Sequence, residues 1–321
     1  MFRVLVATVL LIAFGMGSAL NAQSYPNRTI KLVVPFPAGG ATDNAARLVA
    51  QRLQAALGQS VIIENQAGAG GTIGTKQASI AAPDGYTLLM ASIGTFGSMP
   101  LLYKLDFDPQ RAFTPVATVV FEKGALVVRP SLPVTSVREL AEYAKAHPGK
   151  LSYGSAIGIG PHFIAELFKI KSGSDIVHIP YRGGAPMVAD LIAGQIDMTV
   201  NGKSVLLPQI EAGKLRALAV TAGERWRELP DVPTLVETGY MDAPYDTLFG
   251  VVAPAGTPAA VIERLNATIN EGLRSPEMRD HLARIGIEPI ITTPREFGDI
   301  IAEEIPKWAA IVRATGIRIA E

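Results

Sequence analysis

The segment VVPFPAGGATDNAAR, Val33–Arg47, joins a short apolar strand to a helix through a turn of prolines and glycines. The apolar run before the turn is typical of a buried strand, and Ala46 and Val49 after it are at helical spacing. Gly39 and Gly40 allow a tight turn between the two elements. Strand, turn and helix in this order form the repeating unit of α/β folds with parallel sheets.

The same alternation continues along most of the chain and predicts two α/β domains. Helices are predicted over Asp43–Leu57 and from Ser136, Pro258, Pro276 and Pro294. The predicted strands are Ile30–Val34, Val61–Glu64, Tyr86–Ala91, Leu151–Gly154, Ile176–Ile179, Asp197–Val200, Arg216–Thr221 and Leu248–Ala253. Ligands of open α/β sheets bind beyond the carboxyl ends of the strands, so two such domains can form a ligand cleft between them.

Composition excludes several classes of protein. The chain has 321 residues with 29 basic and 29 acidic side chains, so no net charge favours nucleic acid or an anionic membrane as a partner. It has no cysteine, which excludes disulfides and thiolate metal sites. The histidines show no metal-binding spacing, and we expect no bound metal.

The first 22 residues read as a signal peptide. Arg3 precedes the apolar run Val4–Gly17, which is too short for a membrane span, and small residues follow it. Cleavage is expected near Ala22, and an uncleaved anchor helix is the alternative. A cysteine-free exported chain suits the bacterial periplasm, where free thiols are oxidised.

Three interpretations compete for the turn Phe36–Asp43. A phosphate loop would need a lysine directly after the glycines, and no basic residue follows before Arg47. A plain tight turn, in which glycine only relieves steric strain, stays open. So does an anion site, because free amides and the dipole at a helix N-terminus favour a carboxylate without a basic side chain.

Two other glycine-rich segments allow enzymatic interpretations. Gly68–Gly74 is similar to a dinucleotide fingerprint, but its last gap is too long and no acid ends the following strand. Ser155 could be a hydrolase nucleophile with His162 as base, although GSAIG is not the G-x-S-x-G pattern. A secreted hydrolase and a nicotinamide-dependent oxidoreductase are therefore the rival functions to a binding protein.

Arg182 is the only cation inside these glycine turns, in IPYRGGAPMVADLIAGQIDM, Ile179–Met198. It is either an exposed arginine on a loop or a fork that grips a second ligand carboxylate through two hydrogen bonds.

The order and spacing of several segments resemble the tripartite tricarboxylate transporter receptors, also called Bug-type periplasmic solute-binding proteins. The resemblance covers essentially the whole mature chain. The segments that carry it are YPNRTIKLVVPFPAGGATDNAAR, VIIENQAGAGGTIG, APDGYTLLMAS, YGSAIGIGPHFIAELF, IPYRGGAPMVADLIAGQIDM, IEAGKLRALAVT, LPDVPTLVETGY and GVVAPAGTP.

The resemblance implies an α/β, two-domain periplasmic-binding-protein-like (type II) fold with a hinge and an interdomain ligand cleft. We expect domain 1 to comprise residues 24–124 plus 249–321, and domain 2 residues 125–248. The loops Phe36–Asp43 and Ser155–His162 would close on a ligand carboxylate, partly through ordered water. Many relatives carry serine where this chain has Pro161, so one hydroxyl contact is missing.

The same resemblance implies a receptor that delivers its ligand to a membrane permease, without a cofactor and without chemistry. A dicarboxylate, a tricarboxylate or an aromatic carboxylate such as a terephthalate-like diacid is expected, bound by a monomer. Arg182, Ser92, Thr95 or Asn201 would read the distal end of the ligand. The candidate ligand-binding residues are Phe36, Pro37, Ala38, Gly39, Gly40, Asp43, Gly71, Thr72, Ser92, Thr95, Ser155, Gly158, Gly160, His162, Arg182, Gly183 and Asn201.

Overall fold

The computed structural model describes residues 25–284 and 288–318, so the predicted signal peptide lies outside the described residues. The strands are β1 Ile30–Val34, β2 Val61–Asn65, β3 Thr87–Ser92, β4 Phe113–Val128, β5 Ser152–Ser155, β6 Val177–Pro180, β7 Met198–Gly202, β8 Arg216–Val220, β9 Asp246–Pro254 and β10 Glu288–Pro289. The helices are α1 Ala41–Leu57, α2 Thr72–Ser79, α3 Met99–Leu102, α4 Pro109–Ala112, α5 Val137–Ala146, α6 Gly160–Ser172, α7 Gly184–Ile192, α8 Lys203–Glu211, α9 Ala259–Arg274, α10 Pro276–Arg284 and α11 Pro294–Thr315.

The first lobe is built on a sheet of order β2-β1-β3-β9-β4, with β10 paired to β4. Strands β1, β2 and β3 are parallel, whereas β9 runs antiparallel to both β3 and β4. Helices α1 and α9 cover one face, where Leu53 and Leu265 pack with the strand residues Leu32 and Leu88 in a buried core. The carboxyl ends of the three parallel strands therefore lie at one edge of this sheet.

The second lobe repeats this arrangement of strands in the order β6-β5-β7-β4, with β8 also paired to β4. Strands β5, β6 and β7 are parallel, and β4 runs antiparallel to β7 and β8. In each lobe the first parallel strand, β1 or β5, lies between the second and the third, and an antiparallel strand, β9 or β4, lies next to the third.

Strand β4 belongs to both sheets. Its first part pairs with β9 as far as Lys123, opposite Asp246, and from Gly124 onward it pairs with β7, opposite Gly202. The change of partner thus falls between Lys123 and Gly124, and β9 pairs with β4 from Asp246 onward. The sequence patterns did not predict β4, because Pro115, Glu122 and Gly124 interrupt its apolar runs.

The strand predictions elsewhere are confirmed to within one or two residues at most ends, and helix α1 begins at Ala41 instead of Asp43. The helices after β9 begin at Ala259, Pro276 and Pro294, as their prolines predict. Within the described residues, none of the helices combines the length and apolarity that a membrane span requires.

Helix α11 packs the C-terminal part of the chain against both lobes. Trp308 is 1% exposed, and its ring centroid lies 5.4 Å from that of Phe163 in α6 and 5.7 Å from that of Tyr245. Both ring pairs are edge-to-face, the arrangement that aromatic quadrupoles favour.

Gly97→Ala is expected to lower the free energy of unfolding by about 1–3 kcal/mol, because Gly97 packs against Trp308 and an added methyl would overpack the space beside the indole ring. The new Cβ would lie 2.5 Å from Cγ and 2.7 Å from Cβ of Trp308. Gly298→Ala is the control, since its Cβ would meet Pro115 Cγ at an ordinary 3.6 Å. Urea unfolding of both variants measures the effect, and equal midpoints would contradict it.

Candidate functional site

A cavity lies between the lobes, at the carboxyl ends of the parallel strands. Its empty volume, including the open space at its mouth, is about 600 Å³. The lining residues are Phe36, Gly40, Ala41, Thr42, Ser92, Gly94, Glu122, Ile159, Gly160, Pro161, Gly183, Gly184, Asn201, Gly202, Tyr245, Thr247 and Phe249. They come from both lobes and from the two strands that connect them.

Four helix N-termini converge on this cavity. The residues that precede α1, α6, α7 and α8 are Gly40, Ile159, Gly183 and Gly202, and all of them line the cavity. In none of these helices does the preceding residue cap the first turn with its own side chain, although Glu122 accepts from Ser204 N in the first turn of α8. Each helix dipole places about half a positive charge at its N-terminus, so the cavity favours an anion.

The turn before α1 is held by Asp43. Its Oδ2 accepts from Gly39 N at 2.9 Å and from Arg47 Nε at 2.7 Å, and its Oδ1 accepts from Asn65 Nδ2 at 2.9 Å. Burial works to raise the pKa of Asp43, but these hydrogen bonds outweigh it and hold the pKa below its usual value. Asp43 therefore fixes the turn as an ionised brace.

The amides that follow this turn are available to a ligand. Helix α1 makes its first internal bond from Asn44 N to Gly40 O at 2.9 Å. The amides of Ala41, Thr42 and Asp43 precede that bond and have no acceptor within the helix. In α6 the first such bonds start at His162, and the amide of Gly160 is left in the same way.

Behind the α6 turn lies a buried stack of polar rings. His162 Nδ1 accepts from Gly158 N at 3.1 Å, and its ring centroid lies 4.2 Å from that of His178. Burial, with the neighbouring His178, lowers the pKa of His162 to about 4, and burial also lowers the pKa of His178. Both imidazoles are neutral at pH 7, and the stack shapes the turn while adding no positive charge to the cavity.

The lobes touch each other around the cavity mouth. Ser98 Oγ of the first lobe donates to Gly158 O of the second at 2.7 Å, and Asn44 Nδ2 donates to Ser204 Oγ at 3.3 Å. A Cβ added to Gly183 would lie 2.7 Å from Pro37 Cδ, so only glycine permits this approach of the two loops. The structure is therefore a closed form.

Glu122 of β4 is the only acidic side chain among the described residues that line the cavity. It is 2% exposed, and its Oε1 accepts from Ser204 N at 2.9 Å and from Ser204 Oγ. Burial raises the pKa of Glu122 to about 7, against the lowering effect of the two hydrogen bonds. No Lys, Arg or His is found among these lining residues.

Asn201 lines the cavity beside Gly202. It is 6% exposed, its Oδ1 accepts from Gly202 N at 2.8 Å, and its Nδ2 has no hydrogen-bond partner among the described residues. A buried donor without a partner is costly unless a ligand or water accepts from it.

The structure brings only part of the predicted site together. The predicted residues that line the cavity are Phe36, Gly40, Ser92, Gly160, Gly183 and Asn201. The others lie behind or beside it and do not line it: Pro37, Ala38, Gly39, Asp43, Gly71, Thr72, Thr95, Ser155, Gly158, His162 and Arg182. Several of these support lining residues, as Gly71 does, where an added Cβ would meet the Phe36 ring at 3.1 Å.

Arg182 and Ser155 differ most from their predicted roles. Arg182 is exposed, and no ion pair or hydrogen bond of its side chain is found within the described residues. The geometry thus favours the solvated interpretation of this arginine. Ser155 is 1% exposed, and its Oγ is hydrogen-bonded to His178 Nε2 at 2.8 Å, away from the cavity.

Neighbouring atoms fill the space around the glycines of the Gly68–Gly74 turn. A Cβ on Gly70 would meet the Tyr103 hydroxyl at 2.1 Å, and one on Gly74 would meet the backbone of Gln66 and Pro35 at 2.8 and 2.9 Å. These close contacts explain the glycines without a dinucleotide. In the described part of the chain, no three potential metal-ligating side chains are grouped.

The sequence patterns missed strand β4, and they did not indicate that residues of β4 and β9 line the cavity. Glu122, Tyr245, Thr247 and Phe249 line the cavity from β4, from β9 and from the residue before it. The available signal was a single acid, Glu122, directly after the apolar run VVF and before KGALVV. A charge inside a strongly apolar strand indicates a buried, partnered group.

The chain is similar to known proteins over most of its length. The model of the TctC family, described as the tripartite tricarboxylate transporter family receptor, matches residues 45–317. Protein BugT of Bordetella pertussis is 39% identical over 312 residues, covering 95% of this chain and 94% of BugT. A UPF0065 protein of Cupriavidus necator is 33% identical, covering 98% of this chain and 96% of its own.

Solved structures share the fold over nearly the whole chain. A protein of R. palustris with adipate has a TM-score of 0.88 at 38% identity, covering 92% of this chain and 99% of its own. The periplasmic binding protein BugD has a TM-score of 0.88 at 36% identity, with the same coverage. MatC from Rhodopseudomonas palustris with bound malate has a TM-score of 0.85 at 32% identity, covering 90% and 100%.

The raised pKa of Glu122 predicts a pH-dependent stability. Because the folded-state pKa of about 7 exceeds the ordinary glutamate pKa of 4.5, the stability contributed by neutral Glu122 is complete below pH 4.5 and is lost as pH rises to about 7. Glu122→Gln does not titrate, so the unfolding free energy of the wild type should fall relative to this variant by about 3 kcal/mol across that window.

Glu64→Gln is the matched control for this measurement. Hydrogen bonds from Lys31 and Gln77 lower the pKa of Glu64 to about 2, so its stabilisation is instead lost in acid, below pH 4.5. Urea unfolding across pH 4 to 8 compares the three proteins. A constant difference between the wild type and Glu122→Gln would contradict the prediction.

Proposed function

Since the chain belongs to the tripartite tricarboxylate transporter receptor family, we propose that it captures a small carboxylate in the cavity between its lobes and delivers it to a tripartite tricarboxylate-type membrane transporter. The observation that carries the proposal is the convergence of four helix N-termini, none capped by the side chain of its own preceding residue, on a cavity whose described lining residues include no Lys, Arg or His. Such a site binds an anion through backbone amides.

The energetics of this arrangement suit reversible capture. A hydrogen bond to a charged group contributes about 1.5–3 kcal/mol net. Two or three of them, with desolvation of the ligand body, suffice for micromolar binding, about −8 kcal/mol. A cationic side chain is not needed, and its absence keeps release into the transporter feasible.

The closed form provides the signal for delivery. Two strand segments connect the lobes near Glu122 and Asp246, and a hinge there would open the contacts between Pro37 and Gly183 and between Ser98 and Gly158. A ligand that bridges both lobes stabilises closure, which is the usual motion of such folds. The transporter would then recognise the closed shape.

The shape of the cavity favours a ligand with an apolar body. Phe36, Phe249 and Tyr245 lie on its walls, and donors at the helix N-termini flank them. The similar proteins with adipate and with malate carry aliphatic diacids. We infer a dicarboxylate as the first candidate class, with tricarboxylates and terephthalate-like aromatic diacids as the alternatives.

The chain is a receptor of a solute-binding family and not an enzyme. The rival hydrolase would require an accessible Ser155, which is buried, and the rival oxidoreductase a nucleotide turn at Gly68–Gly74, which is filled by packing. Family membership also indicates the periplasm, for which the predicted signal peptide would serve as the export signal. We expect the receptor to act as a monomer.

A thermal-shift screen of the mature protein tests the ligand class. Adipate, malate, citrate, benzoate and terephthalate are compared with the corresponding amides or methyl esters. A carboxylate at a hundredfold excess over its Kd stabilises the native state by about 2.7 kcal/mol. We expect a rise in melting temperature with at least one acid and none with its neutral derivative.

The controls separate anion binding from other effects. Sodium chloride and sulfate at matched ionic strength should leave the melting temperature unchanged. A shift caused by a neutral derivative, a nucleotide or a metal ion, with none from the carboxylates, would contradict the proposed function.

Gly183→Ala is expected to weaken binding of the responding carboxylate about ten- to hundredfold, since overpacking costs about 1–3 kcal/mol. Gly183 has φ 173°, which alanine adopts without strain, and the nearest atoms to the added methyl belong to Pro37 across the lobe contact. Calorimetric titration measures the Kd.

Gly223→Ala is the matched control in the same lobe. Its Cβ would meet Pro244 at an ordinary 3.5 Å, and Gly223 does not line the cavity. Equal affinities of the two variants and the wild type would show that the contact of Gly183 with Pro37 is not part of ligand-linked closure.

A further inference from the structure

Glu122 is unusual in a cavity that favours anions. It is buried, it lines the cavity, and both of its hydrogen bonds are donated by Ser204 to Oε1. Its Oε2 has no hydrogen-bond partner among the described residues. An ionised carboxylate here would lie close to the bound anion, and the two negative charges would repel each other in a medium of low dielectric.

We propose that Glu122 is neutral in the liganded cavity and donates its carboxyl hydrogen from Oε2 to an oxygen of the bound carboxylate, so that capture of the anion takes up one proton from solvent. The inference deepens the proposed function and rests on it. It makes Glu122 a specificity-determining residue, because a neutral carboxyl donates to an anion whereas an ionised one rejects it.

In the part of the chain that the structure describes, no cationic side chain pairs with Glu122. The charged groups on the elements packed around it already have partners: Lys123 with Glu224, Lys203 with Glu228, and Arg47 with Asp43, while Asp246 lies opposite Lys123 in the strand pairing. The adjacent β7 residues Asn201 and Gly202 carry no charge. Tyr245 stays protonated, since burial raises its pKa.

The N-terminus of α8 is the one favourable partner of an ionised Glu122. Ser204 N, in the first turn of α8, donates to its Oε1 at 2.9 Å, and the helix dipole favours negative charge there. An anionic ligand at the neighbouring helix N-termini adds a like charge beside Glu122. Binding of the anion therefore shifts Glu122 further toward its neutral form. Without a bound anion, the Glu122 carboxyl exchanges its proton with solvent near neutral pH.

Asn201 supplies a second neutral donor beside Glu122. Its unpartnered Nδ2 and the Glu122 carboxyl both adjoin Gly202, where an added Cβ would lie 2.4 Å from Glu122 Oε1. Two neutral donors at one end of the cavity can bind a carboxylate without a counter-ion. This arrangement explains how a diacid could be held although no Lys, Arg or His lines the described cavity.

Calorimetric titration with adipate, L-malate and benzoate counts the protons. Each titration is run at about pH 6 in MES and in bis-Tris, and at about pH 8 in HEPES and in Tris, because the two buffers of each pair have different ionisation heats. Carboxylates of this kind are largely ionised at both values. We expect close to one proton taken up per adipate at about pH 8 and far fewer at about pH 6, with affinity falling roughly tenfold per pH unit above neutrality.

Two variants identify the titrating group. Glu122→Gln keeps a donor and an acceptor but cannot titrate, so it should bind with no proton uptake and with pH-independent affinity. Ser204→Ala removes one donor to the ionised form and so raises the pKa of Glu122 in the empty protein. The onset of proton uptake and the pH at which affinity begins to fall should therefore both move to higher pH. Circular dichroism verifies that both variants fold.

The outcomes distinguish this inference from the proposed function. Binding of a probe without proton uptake, or a pH profile unchanged in Glu122→Gln, overturns the inference and leaves carboxylate binding intact. Tighter binding of L-aspartate than of L-malate, lost in Glu122→Gln, would also overturn it, because Glu122 would then be the counter-ion of an ammonium group. Failure of every carboxylate to bind would contradict the proposed function and the inference together.

Discussion

Unpaired amides at helix N-termini are the constraint on which the rest of this structure depends. The first turn of a helix has donors that its own backbone cannot satisfy, and four such turns face one cavity. Parallel strands produce this convergence, because their carboxyl ends lie at one edge of each sheet and the following helices begin there. The fold thereby concentrates positive potential where no basic side chain is present.

The braces around these turns keep the amides available. Asp43 ties Gly39, Asn65 and Arg47 together and leaves the next amides of α1 without partners. On the opposite lobe, His162 fixes Gly158 in the same manner, from behind the cavity. These residues shape the turns from outside the cavity lining, so the residues predicted from the turn sequences divide into a lining set and a supporting set.

The connection between the lobes adds what the helix ends lack. Strand β4 changes its pairing partner between Lys123 and Gly124, and Glu122 stands directly before that change. Glu122 therefore lies both in the cavity wall and in a strand that joins the two lobes. Its charge would affect the binding of a ligand and the closure of the lobes on that ligand. The two lobes have the same strand order, and by that order the turn of Gly40 corresponds to the turn of Ile159. The glycine turn at Gly183 follows β6, the second strand of its lobe, and therefore does not correspond to the turn at Gly40, which follows β1. The two turns are similar because both need glycine between a strand and a helix.

Local sequence determined the βα units, the glycine turns and the helix starts at proline, because hydrophobic period and turn residues are local properties. It also contained the family resemblance, which indicated the two-domain fold and the receptor function. Tertiary structure alone decided which residues face the cavity: Arg182 turns to solvent, Ser155 is buried, and Glu122 and Tyr245 line the wall. Strand β4 was missed for the same reason, since its two halves are stabilised by partners far away in the chain, Phe249 and Asn201 among them. Pairing over such distances depends on how the lobes assemble, and no window of sequence contains it.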